Sequence, residues 1–214
     1  MATKRKPILL VSSAVYGFEE LLDRIYTELV GFDYEVWMSH KGTMPVYPDM
    51  TALDSCRRAV QECDLFLGII LPRYGSGVEE KGGDSITHEE LRWAIHLNKP
   101  RWILAHDHVV FARSFLDKLG YDTQDKRHTL KLHPSAVFQD LRAIDMYDLA
   151  MRHDVQLYRD RTGNWVQKFG SPEEAQLFAV SQFRRFQEAE AFIQDKFEKP
   201  EAIKRAVDEK GGAA

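Results

Sequence analysis

Glu90 lies in the middle of an apolar helix face, which is an unusual position for an acidic side chain. The apolar run 65–71 is typical of a strand buried on both faces, and a glycine-rich loop separates it from a predicted helix over residues 87–98. The apolar residues that share a helix face with Glu90 are Ile86, Trp93, Ala94 and Leu97. Because burying a carboxylate is costly, we expect Glu90 to have either a partner or a purpose in this position.

The same spacing also fits a structural role for Glu90. Thr87 and Glu90 stand three residues apart near the start of the helix, as the two members of a capping box do. In that arrangement the glutamate accepts a hydrogen bond from the backbone N–H of Thr87. Glu89 is an alternative candidate for the functional carboxylate. The sequence leaves the catalytic and the capping interpretations open.

Strands and helices alternate through the first half of the chain. Apolar runs predict strands over residues 7–12, 34–38, 65–71 and 102–105, and helical periodicity predicts helices over 18–30, 51–63 and 87–98. This alternation predicts an α/β fold with a mainly parallel, flavodoxin-like sheet in the order 2-1-3-4, covered by helices on both faces.

The second half departs from this rhythm. Residues 1–106 form the predicted core, and 107–214 form a mostly helical continuation of the same domain that could add a fifth strand. Helices are predicted over 109–119 and 135–150, with an irregular polar segment between them. Residues 155–169 resemble a β-hairpin, and Ser171-Pro172-Glu173-Glu174 signals the start of a last helix. The aromatic residues of that helix are candidates for core packing or for self-association.

The predicted sheet order also locates a ligand site. In an open parallel sheet, ligands bind beyond the carboxyl ends of the strands where the strand order reverses, here between strands one and three. Glu90 can reach this crevice, and the residues that follow the two strands are Ser12, Ser13, Tyr16, Arg73 and Tyr74. We expect these five to bind substrate. The alternatives are that the serines satisfy loop backbone, that Arg73 is a surface residue and that Tyr74 packs in the core.

Composition excludes several classes of partner. The chain has 29 lysine and arginine residues against 33 aspartate and glutamate residues, which gives a formal net charge of −4 and argues against nucleic acid. No apolar run approaches the roughly 20 residues that span a bilayer, so no membrane partner is expected. Cys56 and Cys63 share one helix and are interpreted as core thiols in a reduced, cytoplasmic protein. His106-Asp107-His108 has no third ligand nearby, so we expect no metal and a capping role for Asp107.

Several short segments together resemble a bacterial TIR-like domain family that often precedes defence-associated NTPases. They are residues 11–13, Cys56, 60–69, 73–75, 85–90, Ala94 and 99–100, so the likeness covers roughly residues 6–106. The predicted helix also resembles nucleoside deoxyribosyltransferases, because Thr87, Glu90, Ala94, Lys99 and Pro100 have the spacing of that family's motif. Ile86 and Arg92 stand where those transferases have glycines.

The TIR-like resemblance implies a glycohydrolase that cleaves the bond between nicotinamide and ribose in NAD, with Glu90 as the catalytic residue. NAD is then the substrate, and no separate cofactor is required. The resemblance also implies a role in antiphage defence and either homo-oligomers or a defence-system partner protein. The alternatives are a nucleoside or nucleotide N-glycosidase related to the deoxyribosyltransferases, and a non-catalytic module that binds a nucleotide or a partner.

Overall fold

A five-stranded, all-parallel sheet forms the centre of the protein. The computed structural model describes residues 5–77, 83–133 and 137–197. The strands are β1 (Ile8–Ser13), β2 (Glu35–Trp37), β3 (Leu65–Ile70), β4 (Arg101–His106) and β5 (Val166–Phe169), in the order β2-β1-β3-β4-β5. This order is consistent with a flavodoxin-like fold. It confirms the predicted α/β class and the order 2-1-3-4, and the second half of the chain does supply a fifth strand.

Helices cover both faces of the sheet. They are α1 (Glu19–Gly31), α2 (Ala52–Glu62), α3 (Ile86–His96), α4 (Asp107–Lys118), α5 (Gln124–His128), α6 (Arg142–Ala150) and α7 (Pro172–Phe197). One apolar core lies between the sheet and α2, α3, α4 and α6, and the other lies between the sheet and α1 and α7. Successive strand residues serve opposite cores: Phe66 and Ile70 face the first, and Leu67 and Ile69 face the second.

The sheet reverses its order between β1 and β3. β1 pairs with β2 on one side and with β3 on the other, with Ser13 opposite Ile69 at the carboxyl end. The helices that follow these strands therefore leave on different faces, and a crevice opens between the two strand ends. This crevice is the position that the sequence predicts for a ligand.

The predicted hairpin over residues 155–169 is wrong. β5 pairs in parallel with β4, from Ile103 opposite Val166 to His106 opposite Phe169, and Tyr158–Asp160 is a turn of 3₁₀ helix. Leu157 and Tyr158 are exposed, so pairing them with β5 would bury little apolar surface, whereas Phe169 is fully buried beside β4.

The later helices also differ in detail from the predictions. α6 begins at Arg142, with residues 134–136 outside the described part of the chain, and α5 lies inside the segment expected to be irregular. His106, not Asp107, caps α4, because its ring nitrogen accepts from the backbone N–H of His108 at 3.1 Å. The start of α7 is confirmed, with Ser171 accepting from the Glu174 N–H at 3.3 Å.

The part of α7 whose side chains are described, residues 172–185, packs one face into the second core, and self-association through this helix stays a prediction. Ala175, Ala179 and Phe183 pack against α1 in the second core, where the carbonyl of Phe183 accepts from the hydroxyl of Tyr34 at 2.8 Å. Leu177 on α7 is exposed, and exposed apolar side chains also occur on and just after α4, at Phe111, Phe115 and Leu119. Within the described residues, no helix combines the length and the apolar character that crossing a membrane requires.

Candidate functional site

A cavity of about 1010 Å³ opens at the crevice between β1 and β3. Its polar floor comes from the end of β1, the loop after β3, and the first turns of α2 and α3. Its apolar wall comes from the segment between β2 and α2, with the side chains of Met44, Val46 and Met50. The volume is at the upper end of the usual range for ligand sites, so a molecule as large as a dinucleotide fits.

Glu90 lies at the floor of this cavity and is only 6% exposed. The hydroxyl of Ser12 donates to its Oε2 at 2.5 Å, and the thiol of Cys56 is a second hydrogen-bonding neighbour. Burial raises the pKa of Glu90 from 4.5 to about 7, although the bonds from Ser12 and Cys56 act in the opposite direction. A carboxyl with this pKa takes up and releases protons near neutral pH.

The capping interpretation of Glu90 is wrong. Ser85 is the N-cap of α3, and its Oγ accepts from the backbone N–H of His88 at 3.3 Å. Glu90 is therefore in the second turn, where its carboxylate has no orphan N–H to satisfy. Glu89 points to the surface side of α3 and forms an ion pair with Arg92, and it does not line the cavity.

The two serines at the end of β1 have different roles. Ser13 lines the cavity, and its hydroxyl donates to the carbonyl of Ala14 at 2.8 Å. Ser12 is buried behind Glu90 and is not among the residues that line the cavity, so the structure gives no support for its predicted contact with substrate. Its side chain instead holds the carboxyl of Glu90 in place. Neighbouring strand residues point to opposite sides, which explains why only one of the pair reaches the cavity.

Arg73 and Tyr16 lie together at the rim of the cavity. The guanidinium carbon of Arg73 is 4.7 Å from the centre of the Tyr16 ring, and Tyr16 is 72% exposed. Gly17, which follows Tyr16, has a φ of +83°, a left-handed conformation that favours glycine; a Cβ there would make only an ordinary contact, 3.5 Å, with Arg73 Nε. No salt bridge joins Arg73 to an acidic side chain of the described residues, although its charge contributes weakly to the lowered pKa of nearby Glu19. The guanidinium at the rim can therefore meet an anionic ligand.

Tyr74 does not line the cavity, so the structure gives no support for the prediction that it binds substrate. It is buried, its hydroxyl donates to Asp84 at 2.9 Å, and the same oxygen lies 2.6 Å from Nδ1 of His88. The guanidinium of Arg142 covers its ring. Burial lowers the pKa of His88 to about 4, so this histidine is neutral at pH 7. This polar network anchors the loop after β3 to α3.

Several lining residues have no signal in the sequence. Met44, Val46 and Met50 lie in a loop without periodicity, and Gln139 lies just before α6 in a segment predicted to be helical, so only the three-dimensional structure places these four residues at the cavity. Cys56 follows the apolar face of α2 and was interpreted as a core thiol. It is indeed buried, and burial raises its pKa to about 12, yet it also lines the cavity beside Glu90.

The fold and the site together define an α/β protein with a ligand-sized cavity at the switch point of its parallel sheet. The chain belongs to the family described as "Domain of unknown function (DUF4062)", whose model matches residues 9–210. This match includes both the β1–β4 region and the later elements that contribute β5 and α7. Neither the comparison with curated proteins nor the comparison with solved structures found a match.

Proposed function

We propose that this protein is a TIR-like glycohydrolase that cleaves the nicotinamide–ribose bond of NAD, with Glu90 as its catalytic residue. The observation that carries the proposal is the buried Glu90 carboxyl at the floor of a dinucleotide-sized cavity. The resemblance of residues 85–90 and of the segments around them to the TIR-like family supports the same assignment. A role in antiphage defence is part of this proposal.

The charges that line the cavity suit the two ends of such a substrate. Among the described lining residues, Glu90 is the acidic one and Arg73 is the only lysine or arginine. The cationic nicotinamide ribosyl group belongs beside Glu90, and the pyrophosphate belongs beside Arg73. Met44, Val46 and Met50 offer an apolar surface for the adenine ring. A neutral nucleoside would leave the charge of Arg73 without a partner.

The chemistry requires little beyond a well-placed carboxylate. As the glycosidic C–N bond breaks, its electron pair leaves with nicotinamide, which departs as a neutral molecule and needs no proton. Glu90 stabilises the positive charge that develops on the ribose, and the low polarity of its surroundings strengthens this interaction. Water then adds to the anomeric carbon and releases a proton, which gives ADP-ribose.

The experiment incubates purified protein with NAD, alone and with a crowding agent, and follows nicotinamide by chromatography. Glu90→Gln keeps the size of the side chain but removes its charge, and we expect it to lower turnover by about 100-fold or more. Glu89→Gln is the matched control, because it removes a neighbouring carboxylate that does not line the cavity. Equal turnover by the parent and by Glu90→Gln would remove Glu90 from the mechanism.

The raised pKa of Glu90 favours a second candidate, a nucleoside or nucleotide N-glycosidase. A purine or pyrimidine leaves poorly unless it is protonated, and a carboxyl with a pKa of about 7 is a suitable general acid. The two candidates predict opposite pH profiles. For NAD cleavage kcat/KM rises with pH through about 7, since the ionised form is active. For an acid-catalysed N-glycosidase kcat/KM falls above about pH 7.

Calorimetry showing nucleotide binding without turnover of any substrate would instead favour a non-catalytic module.

The proposal includes self-association of the protein through α4. Phe111 and Phe115 stack on one exposed face of this helix, with Asp107 in its first turn and Lys118 in its last. When two copies pack with antiparallel α4 helices, Phe111 of each meets Phe115 of the other, and opposite charges meet at both ends. We expect Phe115→Glu to shift the protein to the monomer in light-scattering measurements. An unchanged mass distribution would refute this interface.

A further inference from the structure

A second cavity, of about 410 Å³, lies at the opposite edge of the sheet. Arg101 is the first residue of β4 and Trp165 immediately precedes β5, so both stand at the amino ends of their strands. The cavity that contains Glu90 lies at the carboxyl ends, and the two cavities share no lining residue. Because every strand runs in the same direction, the two cavities are separated by the length of the sheet.

Arg101 places a positive charge without an acidic partner at this second cavity. Its Nη1 donates to the carbonyl of Lys99 at 3.3 Å and its Nη2 to the carbonyl of Thr162 at 2.9 Å. It forms no ion pair within the described residues. Burial and the nearby charge of Arg152 lower its pKa, which means that its charged form lacks compensation. A guanidinium has five N–H donors, so most remain available to an anion.

Aromatic side chains form the walls around this arginine. Trp102 and Trp165 come from the sheet side and Phe178 from α7, and Trp165 is 73% exposed. A largely exposed indole offers a flat surface on which a second ring can stack. The amides of Gln167 and Gln182 complete the lining and can bond polar atoms at the edge of such a ring.

We propose that this cavity binds a planar aromatic molecule that carries an anionic group, with the ring stacked on Trp165 and the anion bonded to Arg101. The volume is near the lower limit for ligand sites and suits one ring system with one phosphate or carboxylate. This site is independent of the chemistry proposed for Glu90, because it uses other residues at another edge of the sheet. Its ligand class covers both mononucleotides and aromatic carboxylates, which share the ring and the charge.

The test titrates the full chain with AMP and with benzoate, and it uses adenosine as the neutral probe; tryptophan is excited at a wavelength that none of the three probes absorbs. Quenching of tryptophan fluorescence reports on this cavity, because Trp102 and Trp165 line it. The described residues that line the Glu90 cavity include no tryptophan. We expect at least one anionic probe to quench, and we expect adenosine to bind about 10-fold more weakly than AMP. Quenching by AMP alone would indicate a phosphate ligand, and quenching by benzoate alone would indicate a carboxylate ligand.

Variants then separate the two cavities. Trp165→Ala removes an exposed ring and should weaken binding of the anionic probe about 5- to 100-fold without affecting the fold. Arg101→Gln should weaken the same binding about 10-fold or more. Lys168→Gln is the charge-matched control, since Lys168 is exposed on β5 and does not line the cavity. Arg73→Gln should leave quenching unchanged. Three results would each overturn the proposal: neither anionic probe quenches, adenosine binds as tightly as AMP, or Arg73→Gln loses the quenching. None of these outcomes depends on NAD cleavage.

Discussion

Replacing Glu90 by glutamine should stabilise the folded protein at alkaline pH while it abolishes activity. The carboxyl of Glu90 has a folded-state pKa of about 7 because it is buried, against about 4.5 in the unfolded chain. Below about pH 4.5 the group is protonated in both states and does not affect the free energy of unfolding. As pH rises towards 7, the unfolded chain loses this proton more readily than the folded protein, so stability falls.

The size of the effect follows from the pKa difference. One pKa unit corresponds to about 1.4 kcal/mol, so the rise from 4.5 to about 7 lowers the free energy of unfolding by about 3 kcal/mol once pH exceeds 7. Glutamine is neutral at every pH and avoids this loss. Its carbonyl can still accept the hydrogen bond from Ser12, but its amide group needs a partner of its own. We therefore expect a net gain of about 1–3 kcal/mol at alkaline pH.

Thermal denaturation of the parent and of Glu90→Gln, followed by circular dichroism at about pH 5 and about pH 8.5, measures this effect. For a chain of this length each kcal/mol moves Tm by about 2–4 °C, so the variant should melt about 2–12 °C higher than the parent at alkaline pH. At acidic pH the two should agree within a few degrees. Glu89→Gln provides the control, because Glu89 forms a surface ion pair with Arg92 and its replacement should produce no comparable gain.

The opposite result would refute this reasoning. If Glu90→Gln melts below the parent at alkaline pH, the ionised carboxyl makes favourable contacts in the folded protein, and a structural role becomes the better explanation of its position. A gain in stability together with loss of NAD cleavage is the combination expected of a buried group that is retained for chemistry.

Three further predictions concern residues around the cavity. Ser12→Ala removes the hydroxyl that lowers the pKa of Glu90. The midpoint of the pH profile of kcat/KM for NAD should therefore move to higher pH. An unchanged midpoint would contradict the positioning role of Ser12. Arg73→Gln should raise KM for NAD about 10-fold with little change in kcat. Nicotinamide riboside has no pyrophosphate, so its KM should stay constant. Equal effects on both substrates would exclude a phosphate contact. Tyr74→Phe should lower the free energy of unfolding by about 1–3 kcal/mol in denaturant titrations and leave nucleotide affinity unchanged. An altered affinity would indicate that Tyr74 contacts the ligand.

Periodicity and burial made most of the fold predictable. β3 is apolar on both faces because it lies in the centre of the sheet, and its sequence alone indicates this. β5 is different: it is a four-residue edge strand with polar Gln167 and Lys168, and such a strand has almost no hydrophobic pattern. The turn residues before it favoured a hairpin. Pairing with β4 depends on contacts distant in sequence, which a local pattern does not contain.

The candidate site was predictable where topology alone determines position. Glu90, Ser13, Tyr16 and Arg73 reach the cavity because they follow β1 and β3 at the switch point. The sequence could not show which of two adjacent side chains faces the ligand, and for that reason Ser12 and Tyr74 were assigned to the cavity when they lie behind it. The wall made by Met44, Val46 and Met50 depends on how the segment between β2 and α2 folds back over the strands.

The cap of α3 is what separates a structural glutamate from a functional one. If Glu90 capped the N-terminus of α3, backbone N–H groups would stabilise its carboxylate. Such hydrogen bonds lower the pKa of a carboxyl group. Ser85 performs that task instead. Burial raises the pKa of Glu90, and the ionised group therefore reduces stability at neutral pH. Within the described residues, no arginine or lysine offsets this penalty through an ion pair with Glu90. A glutamine would fill the same space without titrating. An ionisable group in this position fits the proposed catalytic role, in which the carboxylate meets the positive charge that develops on the substrate.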